Sequence, residues 1–152
     1  MSDAPFTHTL EVRWVDIDIN WHMRNTAYAD GGTETRITYL AQHGFPFQRF
    51  QEMEFGPVIL REETKYFREV RLGERITYDF LLAGHSEDGS HFELHHDVRR
   101  EDGTLAAVLR VEGGWMDVVR RKLRKPPADL FEAMQAIPRT DDFRVLRPYV
   151  KE

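Results

Sequence analysis

The amino-acid sequence predicts an α+β fold, and three features of the chain indicate it. A helical pattern covers residues 26–43, directly after a polar loop near the N-terminus. Four later segments alternate apolar and polar side chains with the period of two that is typical of strands. Asp-Gly pairs at 88–89 and 102–103 mark two tight hairpins between those segments. A helix followed by an antiparallel sheet must bury its apolar face, and a curved sheet wrapped around the helix achieves this.

The N-terminal part holds one strand and the long helix. Residues 7–15 alternate apolar and polar side chains and form the first predicted strand. Gly44 is suited to end the helix. Gly31 and Gly32 are unusual inside it, since each costs about 1 kcal/mol relative to alanine. Either the helix kinks there, or another element packs too close for a side chain. The predicted buried stripe of the helix is Ala29, Thr33, Ile37, Leu40 and Ala41.

The C-terminal half reads as strands. A loop with Pro46 leads to strands predicted at 57–70, 75–83, 91–99 and 105–119, with Gly113-Gly114 suggesting a bulge in the last. A short amphipathic helix at 128–137 precedes a tail that we expect to be irregular. No repeat or second domain is visible. We therefore expect one domain over residues 1–152, with a core at about 7–120 and a C-terminal helix and tail at 121–152.

Composition excludes several classes of function. The net charge is −5, which argues against a general electrostatic grip on nucleic acid. No apolar run approaches the ~20 residues that cross a bilayer, and residues 1–10 lack the features of a signal peptide, so we expect a cytoplasmic protein. Without cysteine there is no thiolate nucleophile or disulfide. The sequence around Ser86 ends in Asp88 where a nucleophile elbow needs glycine, which disfavours a serine hydrolase.

The polar loop carries the strongest functional signal. The segment "RWVDIDINWHMRNTAYADGGTETR" resembles the opening of hotdog-fold thioesterases, in particular the 4-hydroxybenzoyl-CoA thioesterase-like branch. The segment "YFREVRLGERITYDFLLA" is similar to the second and third strands of that family, and the likeness extends over about residues 7–120. Arg24 and Gly31-Gly32 depart from the family pattern. The spacing of four loop residues also resembles a motif of acyl-carrier-protein thioesterases: Asp18, Asn20, His22 and Asn25.

The resemblance implies a single hotdog domain and a catalytic role for Asp18. A carboxylate can attack a thioester or take a proton from water. Backbone N–H groups at a helix start can stabilise the charge that develops on the carbonyl oxygen. In the family the matching aspartate lies near that helix start. The alternative for Asp18 is a turn or N-cap carboxylate, which is a common use of aspartate before helices.

The other polar residues of the segment have both functional and structural interpretations. Asp16 is expected to hold the loop through backbone N–H groups. Asn20 and His22 match the motif and could orient water or a carbonyl, although His22 could equally be an ordinary loop histidine. Asn25 most simply caps the helix, and contact with substrate is its alternative role. Glu34 could reach the site from the helix, or remain a solvated surface carboxylate.

Substrate contacts are expected beyond the loop. The resemblance assigns Tyr28, at the start of the central helix, to substrate binding. Basic residues can hold the anionic adenosine end of coenzyme A, although for any single residue a solvated basic rim is the favoured interpretation. The candidates along the second strand are Arg61, Lys65 and Arg68, followed by Arg71.

Four histidines invite a metal hypothesis, which the spacing does not favour. On a strand, His91 and His95 are about 13 Å apart by rise. No acidic motif accompanies them, so solvated strand positions are the expected reading, and we predict neither a metal nor another cofactor. The remaining members of this group are His85 and His96.

The sequence thus favours an acyl-CoA thioesterase that converts a fatty or aryl acyl-CoA and water to the free acid and CoA. The first alternative is a non-catalytic acyl-CoA or acyl-carrier binding protein. A second is a hotdog hydratase, which the four-residue spacing of Asp18 and His22 without an intervening proline disfavours. Family members commonly form dimers or tetramers with sites at subunit interfaces, so we expect a homodimer or homotetramer.

Overall fold

The computed structural model describes residues 5–151 and confirms the α+β class. Three helices are present in this part of the chain: α1 (Asn25–Gln42), α2 (Phe47–Met53) and α3 (Ala128–Gln135). A single 3₁₀ turn spans Trp14–Asp16. The strands are β1 (Thr7–Glu11), β2 (Phe55–Tyr66), β3 (Arg75–Asp79), β4 (Leu81–Ser86), β5 (His91–Arg100), β6 (Leu105–Asp117), β7 (Lys122–Arg124) and β8 (Arg139–Leu146).

The strands form one mainly antiparallel sheet. β5 lies centrally, with β6 on one side and, on the other, β4 beside its first half and β3 beside its second half. β1 extends the sheet beyond β3, and β8 extends it beyond β4 as the parallel pair. β2 pairs with β6, and β7 adds to the end of β6. Within the described chain, β2 therefore has a strand on one edge only.

The core lies between α1 and the sheet, but the predicted buried stripe of α1 is wrong except at Leu40. The observed buried face contains small, polar and charged residues: Ala27, Tyr28, Gly31, Gly32, Thr35, Arg36, Tyr39 and Leu40. Thr35 is accommodated because its hydroxyl donates to the Gly31 carbonyl at 2.7 Å. A pattern of apolar residues alone cannot identify such a face.

The glycine pair of α1 is explained by close packing, without a break in the helix. A Cβ on Gly31 would lie 2.3 Å from the Tyr78 hydroxyl, which donates to the Tyr28 carbonyl at 2.9 Å. A Cβ on Gly32 would lie 3.0 Å from Leu109. The sheet thus fills the space above both glycines. α1 ends at Gln42, and Gly44 follows the C-cap His43 with a φ of +90°, as predicted for the residue that stops the helix.

Several boundaries differ from the sequence-based expectations. The strand predicted at 75–83 is interrupted at Phe80, so that β3 and β4 pair with different halves of β5. Gly113-Gly114 is not bulged; the register shift opposite it lies on β2, between Ile59 and Arg61. Further shifts occur on β4 between Leu82 and Gly84 and in the β5–β6 pair at Val98 and Arg99. The predicted loop after Gly44 contains α2, and the tail expected to be irregular forms β8.

The two glycines of β6 have a different purpose from a bulge. A Cβ on Gly113 would lie 2.1 Å from the Val58 carbonyl oxygen, and one on Gly114 would lie 2.7 Å from the Ser90 carbonyl oxygen. Glycine permits these close backbone approaches. The Asp-Gly hairpins are confirmed, with φ of +74° at Gly89 and +86° at Gly103. No helix in the part of the chain described is both long and apolar enough to cross a membrane.

Candidate active site

Asp16 anchors the polar loop, as the sequence predicted. Its carboxylate is buried and accepts a hydrogen bond from the Arg13 backbone N–H at 2.9 Å. The Arg13 guanidinium donates to both carboxylate oxygens at 3.3 Å. Burial acts to raise the pKa of Asp16, but these hydrogen bonds and the charges of Arg13 and Arg24 outweigh it and hold the pKa below its usual range. Asp16 is therefore a charged structural residue at neutral pH.

Arg24 ties the loop to the first turn of α1. Its Nε donates to the Val15 carbonyl at 3.2 Å, and its Nη1 donates to the Thr26 hydroxyl. Nη2 lies 3.5 Å from Asp30 and 3.9 Å from Asp16. Arg24, which stands where the family pattern led us to expect asparagine, therefore helps to hold the loop. It adds a cation that connects the loop to the helix.

Asp18 lies in a tight turn at the other end of the loop. The Asp18 N–H donates to the His22 carbonyl at 2.9 Å. Its Oδ1 accepts the Asn20 N–H at 2.8 Å and the His22 N–H at 3.4 Å. Trp21 completes the turn with a φ of +65° and donates its N–H to the Asp18 carbonyl. Oδ2 of Asp18 has no hydrogen-bond partner among residues 5–151, so one oxygen positions the carboxylate while the other is available.

The start of α1 has two backbone N–H groups that remain available. Arg24 is the N-cap and makes no side-chain capping bond. The backbone N–H groups of Asn25 and Thr26 have no hydrogen-bond partner in the described chain, whereas that of Ala27 donates to Arg24. The capping interpretation of Asn25 is wrong, because Asn25 is the first residue of the helix and its side chain is exposed.

A surface cleft, here named the Asp18 cleft, brings the loop, the helix start and the end of β2 together. Tyr28 forms its buried floor, and burial raises the pKa of this phenol to about 12, so the hydroxyl stays protonated at neutral pH. Of the predicted site residues, Asp18, His22, Asn25, Tyr28 and Arg68 line the cleft. The complete lining is Asp18, His22, Met23, Asn25, Tyr28, Tyr66, Phe67, Arg68 and Glu69.

Other predicted site residues lie elsewhere. Asn20 is exposed and meets Asp18 through its backbone N–H, with its side chain outside the cleft lining. Glu34 is on another side of α1, 3.5 Å from His8 and in a hollow that contains Asp16, so the structure separates it from Asp18. Arg61 pairs with Glu112 at 3.2 Å and, like Lys65, does not line the cleft.

The sequence analysis missed the wall of the cleft that follows β2. Tyr66 packs edge-to-face on Tyr28, with ring centroids 5.2 Å apart. Both Tyr66 and Phe67 are half exposed. The sequence signal that could have identified them is two adjacent aromatic residues between the basic residues Lys65 and Arg68. Glu69 also lines the cleft; a hydrogen bond from its own backbone and the nearby His22 keep its pKa below the usual value.

The expectation that the four strand histidines are solvated is wrong. His96 is fully buried, and burial lowers its pKa to about 3. His91 is buried between Glu112, at 3.2 Å, and the ring of Tyr149. Among residues 5–151, no group of three or more His, Cys, Asp or Glu side chains could hold a metal ion.

Comparisons with solved structures agree on the fold. A Staphylococcus aureus protein in complex with CoA superposes with a TM-score of 0.79 at 23% identity, covering 98% of this chain and 92% of that one. A 1,4-dihydroxy-2-naphthoyl-CoA thioesterase from Synechocystis gives 0.78 at 15% identity, covering 88% and 97%. A gentisyl-coenzyme A thioesterase gives 0.76 at 15% identity, covering 85% and 99%. A search among curated proteins gave no significant match.

The family comparison is more specific than these structural likenesses. The family model of the thioesterase-like superfamily matches residues 12–134, which includes the polar loop, α1 and most of the sheet. The structural neighbours share the hotdog fold that the loop motif led us to expect. The chain therefore belongs to the thioesterase-like superfamily of hotdog proteins.

Proposed function

We propose that this protein is an acyl-CoA thioesterase with Asp18 as its catalytic carboxylate. The observation that carries the proposal is the pairing of two features in one cleft. Oδ2 of Asp18 has no partner in the described chain, and the N–H groups at the start of α1 are likewise available. Family membership supports the reaction class, and two structural neighbours are a 1,4-dihydroxy-2-naphthoyl-CoA thioesterase and a gentisyl-coenzyme A thioesterase.

The proposed chemistry uses both features together. The thioester carbonyl oxygen accepts hydrogen bonds from the N–H groups of Asn25 and Thr26, where the helix dipole also favours negative charge. Asp18 either removes a proton from the attacking water or attacks the carbonyl carbon itself. In the first route the hydroxide adds to the carbonyl carbon, the C–S bond breaks, the CoA thiolate takes the proton from Asp18, and the acid leaves. In the second route breakage of the C–S bond releases the CoA thiolate and leaves an acyl anhydride on Asp18. A water molecule then hydrolyses the anhydride to the free acid and the Asp18 carboxylate, and the proton lost by that water neutralises the thiolate. The hydrogen bonds from the backbone N–H groups of Asn20 and His22 to Oδ1 hold the Asp18 carboxylate in position for either step.

The neighbouring residues have supporting roles in this proposal. His22 lines the cleft beside Asp18 and can hydrogen-bond water, while Asn20 contributes its backbone N–H to the turn. Tyr28 remains a protonated hydroxyl in the cleft floor. Arg68, at the cleft wall, is the cation best placed for a CoA phosphate. Arg61 and Lys65, farther along β2, and Glu34, on another side of α1, are not used.

We further propose that the active unit is at least a homodimer, and that two such dimers can associate as a homotetramer. β2 is twelve residues long and, in the described chain, pairs only with β6. An unpaired edge of this length is a template for another strand. Leu60 and Tyr66 on β2 are 52% and 50% exposed, so a second copy could cover apolar surface there. We also propose one cytoplasmic hotdog domain, in keeping with the absence of cysteine.

The decisive experiment is a thiol-release assay on short, long and aryl acyl-CoAs. We expect Asp18→Asn to reduce kcat by roughly 100-fold or more, the scale for losing a base or nucleophile. Asp141→Asn is the matched control, because it neutralises an exposed carboxylate on β8 and should leave the rate unchanged. Turnover that survives Asp18→Asn would refute the assigned role. Ligand binding without turnover on any CoA ester would favour a binding protein or a carrier-linked substrate.

A further inference from the structure

Arg36 is a buried cation without an anionic partner among the described residues. It is 9% exposed and projects from the middle of α1. Its Nη1 lies 3.0 Å from Nε2 of His96, and its Nη2 donates to the Thr33 hydroxyl at 3.1 Å. The other ring nitrogen of His96 donates to the Asp79 carbonyl at 2.8 Å, which leaves Nε2 as the acceptor.

The charge of Arg36 persists in this environment. Burial lowers its pKa to about 10, so the guanidinium is still protonated at neutral pH. Its partners His96 and Thr33 are both neutral, and the carboxylate that acts on it electrostatically, Glu62, belongs to an exposed residue with no ion pair to it. A buried charge without a counter-ion is unfavourable. A bound anion would relieve that cost.

Arg36 also lines an apolar cavity between α1 and the sheet, here named the helix–sheet cavity. Its inner walls are aromatic and aliphatic, including Phe80, Leu94 and Trp115, which are all buried. Its outer rim contains Ile37 of α1 and Ile59 of β2, which are 53% and 40% exposed. The cavity can therefore accept an apolar chain from the surface.

Gly32 contributes to this arrangement by making room for the guanidinium. A Cβ at Gly32 would lie 3.2 Å from Nη1 of Arg36 and 3.0 Å from Leu109. An arginine has five N–H donors, and the described protein partners engage two of its terminal nitrogens with one contact each. Donors remain for a ligand.

We propose that Arg36 is a specificity residue that binds a carboxylate at the end of an apolar chain held in the helix–sheet cavity. Charge-assisted hydrogen bonds from guanidinium to carboxylate are among the strongest in proteins, and an apolar chain suits the walls. The proposal rests on the proposed thioesterase function for the substrate. Tyr28 of the Asp18 cleft precedes Arg36 by about 12 Å of helix rise, which is the span that separates the two places along α1.

The same carboxylate chemistry has two sources. One is the remote carboxylate of a dicarboxylic acyl group whose other end is the thioester. The other is the free carboxylic acid that hydrolysis releases. In both cases the guanidinium meets the carboxylate, and the chain fills the helix–sheet cavity. The experiments below separate the two sources.

Binding without turnover tests the anion site independently of catalysis. By isothermal titration calorimetry, we expect the native protein to bind octanoate at least roughly tenfold more tightly than octanamide, which has the same chain without the charge. Arg36→Met should abolish this preference, and Arg75→Met, at an exposed arginine of β3, should retain it. Equal affinity of the native protein for the two ligands, or a preference that survives Arg36→Met, would overturn the proposal.

Kinetics then identify the source of the carboxylate. If it belongs to the acyl group, kcat/KM for suberyl-CoA should exceed that for octanoyl-CoA at least roughly tenfold, and Arg36→Met should reverse the order. If octanoyl-CoA is preferred while octanoate binding depends on Arg36, the free acid is the ligand. Arg36→Lys keeps the charge and should keep part of the octanoate preference, which provides a second variant should Arg36→Met fail to fold. If the native protein turns over no CoA ester but binds octanoate through Arg36, the proposed thioesterase function is refuted and the Arg36 carboxylate site is not.

Discussion

Replacing Gly31 with alanine tests the explanation given for the glycine pair of α1, because two effects of opposite sign compete. Helix propensity favours alanine by about 1 kcal/mol. Against this, the new Cβ would lie 2.3–2.7 Å from the Oη, Cζ and Cε1 atoms of Tyr78, closer than real Cβ contacts allow. Overpacking of this kind costs about 1–3 kcal/mol. Displacing the Tyr78 hydroxyl from the buried Tyr28 carbonyl costs about 1–3 kcal/mol more.

The net expectation for Gly31→Ala is a loss of about 3 kcal/mol, which corresponds to a fall in Tm of about 10 °C for a chain of this size. Urea unfolding followed by circular dichroism gives the free energy directly. Gly56→Ala is the matched control, since a Cβ there meets nothing within 4 Å, and the change should stay within about 0.5 kcal/mol. A Gly31→Ala protein as stable as the native one, or more stable, would refute the packing argument.

Three further predictions concern the loop, the buried histidine and the sheet. Asp16→Asn should reduce the free energy of unfolding by about 1–3 kcal/mol at pH 7. Because the folded pKa of Asp16 is lowered, the stabilisation from its carboxylate is complete above the unfolded pKa and is lost as the pH falls through the folded pKa. Urea unfolding should therefore show a smaller difference in stability between the native and variant proteins at pH 3 than at pH 7. His96, with a folded pKa of about 3, should show pH-independent NMR ring resonances from pH 8 to pH 4.5. In the unfolded chain the His96 ring gains a proton near pH 6.5, whereas in the folded chain it stays neutral. The contribution of His96 to the free energy of unfolding therefore falls by about 1.4 kcal/mol per pH unit below pH 6.5. Ring resonances that titrate between pH 8 and pH 4.5 would contradict this expectation. Gly113→Ala places a Cβ 2.1 Å from the Val58 carbonyl and should destabilise the β2–β6 pair by about 2 kcal/mol or more, measured by thermal unfolding and by faster amide exchange in β2.

The parts of the fold that were predictable from the sequence depend on local chemistry. Asp-Gly pairs specify tight turns without help from distant residues, and both hairpins occur where they stand. Gly44 ends α1 because it adopts the left-handed conformation that this position requires. Asp16 was identified as structural, since a second carboxylate beside Asp18 would repel it unless the chain turned. In each case the deciding interaction spans only a few residues.

The parts that were not predictable depend on distant contacts. The buried face of α1 contains Arg36 and two glycines because Tyr78, Leu109 and His96 lie opposite, and no pattern within the helix announces those partners. β8 forms on a parallel strand far away in the sequence, so its own residues read as an irregular tail. The cleft wall at Tyr66 depends likewise on where β2 ends relative to Tyr28.

The residues of the proposed site were likewise predictable from the sequence only in part. The motif led to Asp18 and the helix start, and the structure brings these groups into one cleft. The sequence motif could not separate Glu34 or Arg61 from the cleft. The direction of a side chain on a helix or a bulged strand depends on packing that the sequence does not display. Asn20 illustrates a further gap, since its contact with Asp18 is made by the backbone.

The sheet topology also has a consequence for how the protein folds. The hairpins β4–β5 and β5–β6 close short loops, and such hairpins form within about 1–10 µs. By contrast, β1 pairs with β3 across 68 residues, as in the Thr9–Thr77 contact, and β8 joins β4 only after three strands and α3 have been passed. Closing these long loops is entropically slower. We therefore expect the two outer strands to assemble last onto a preformed meander, and their amides to exchange first when the native protein opens.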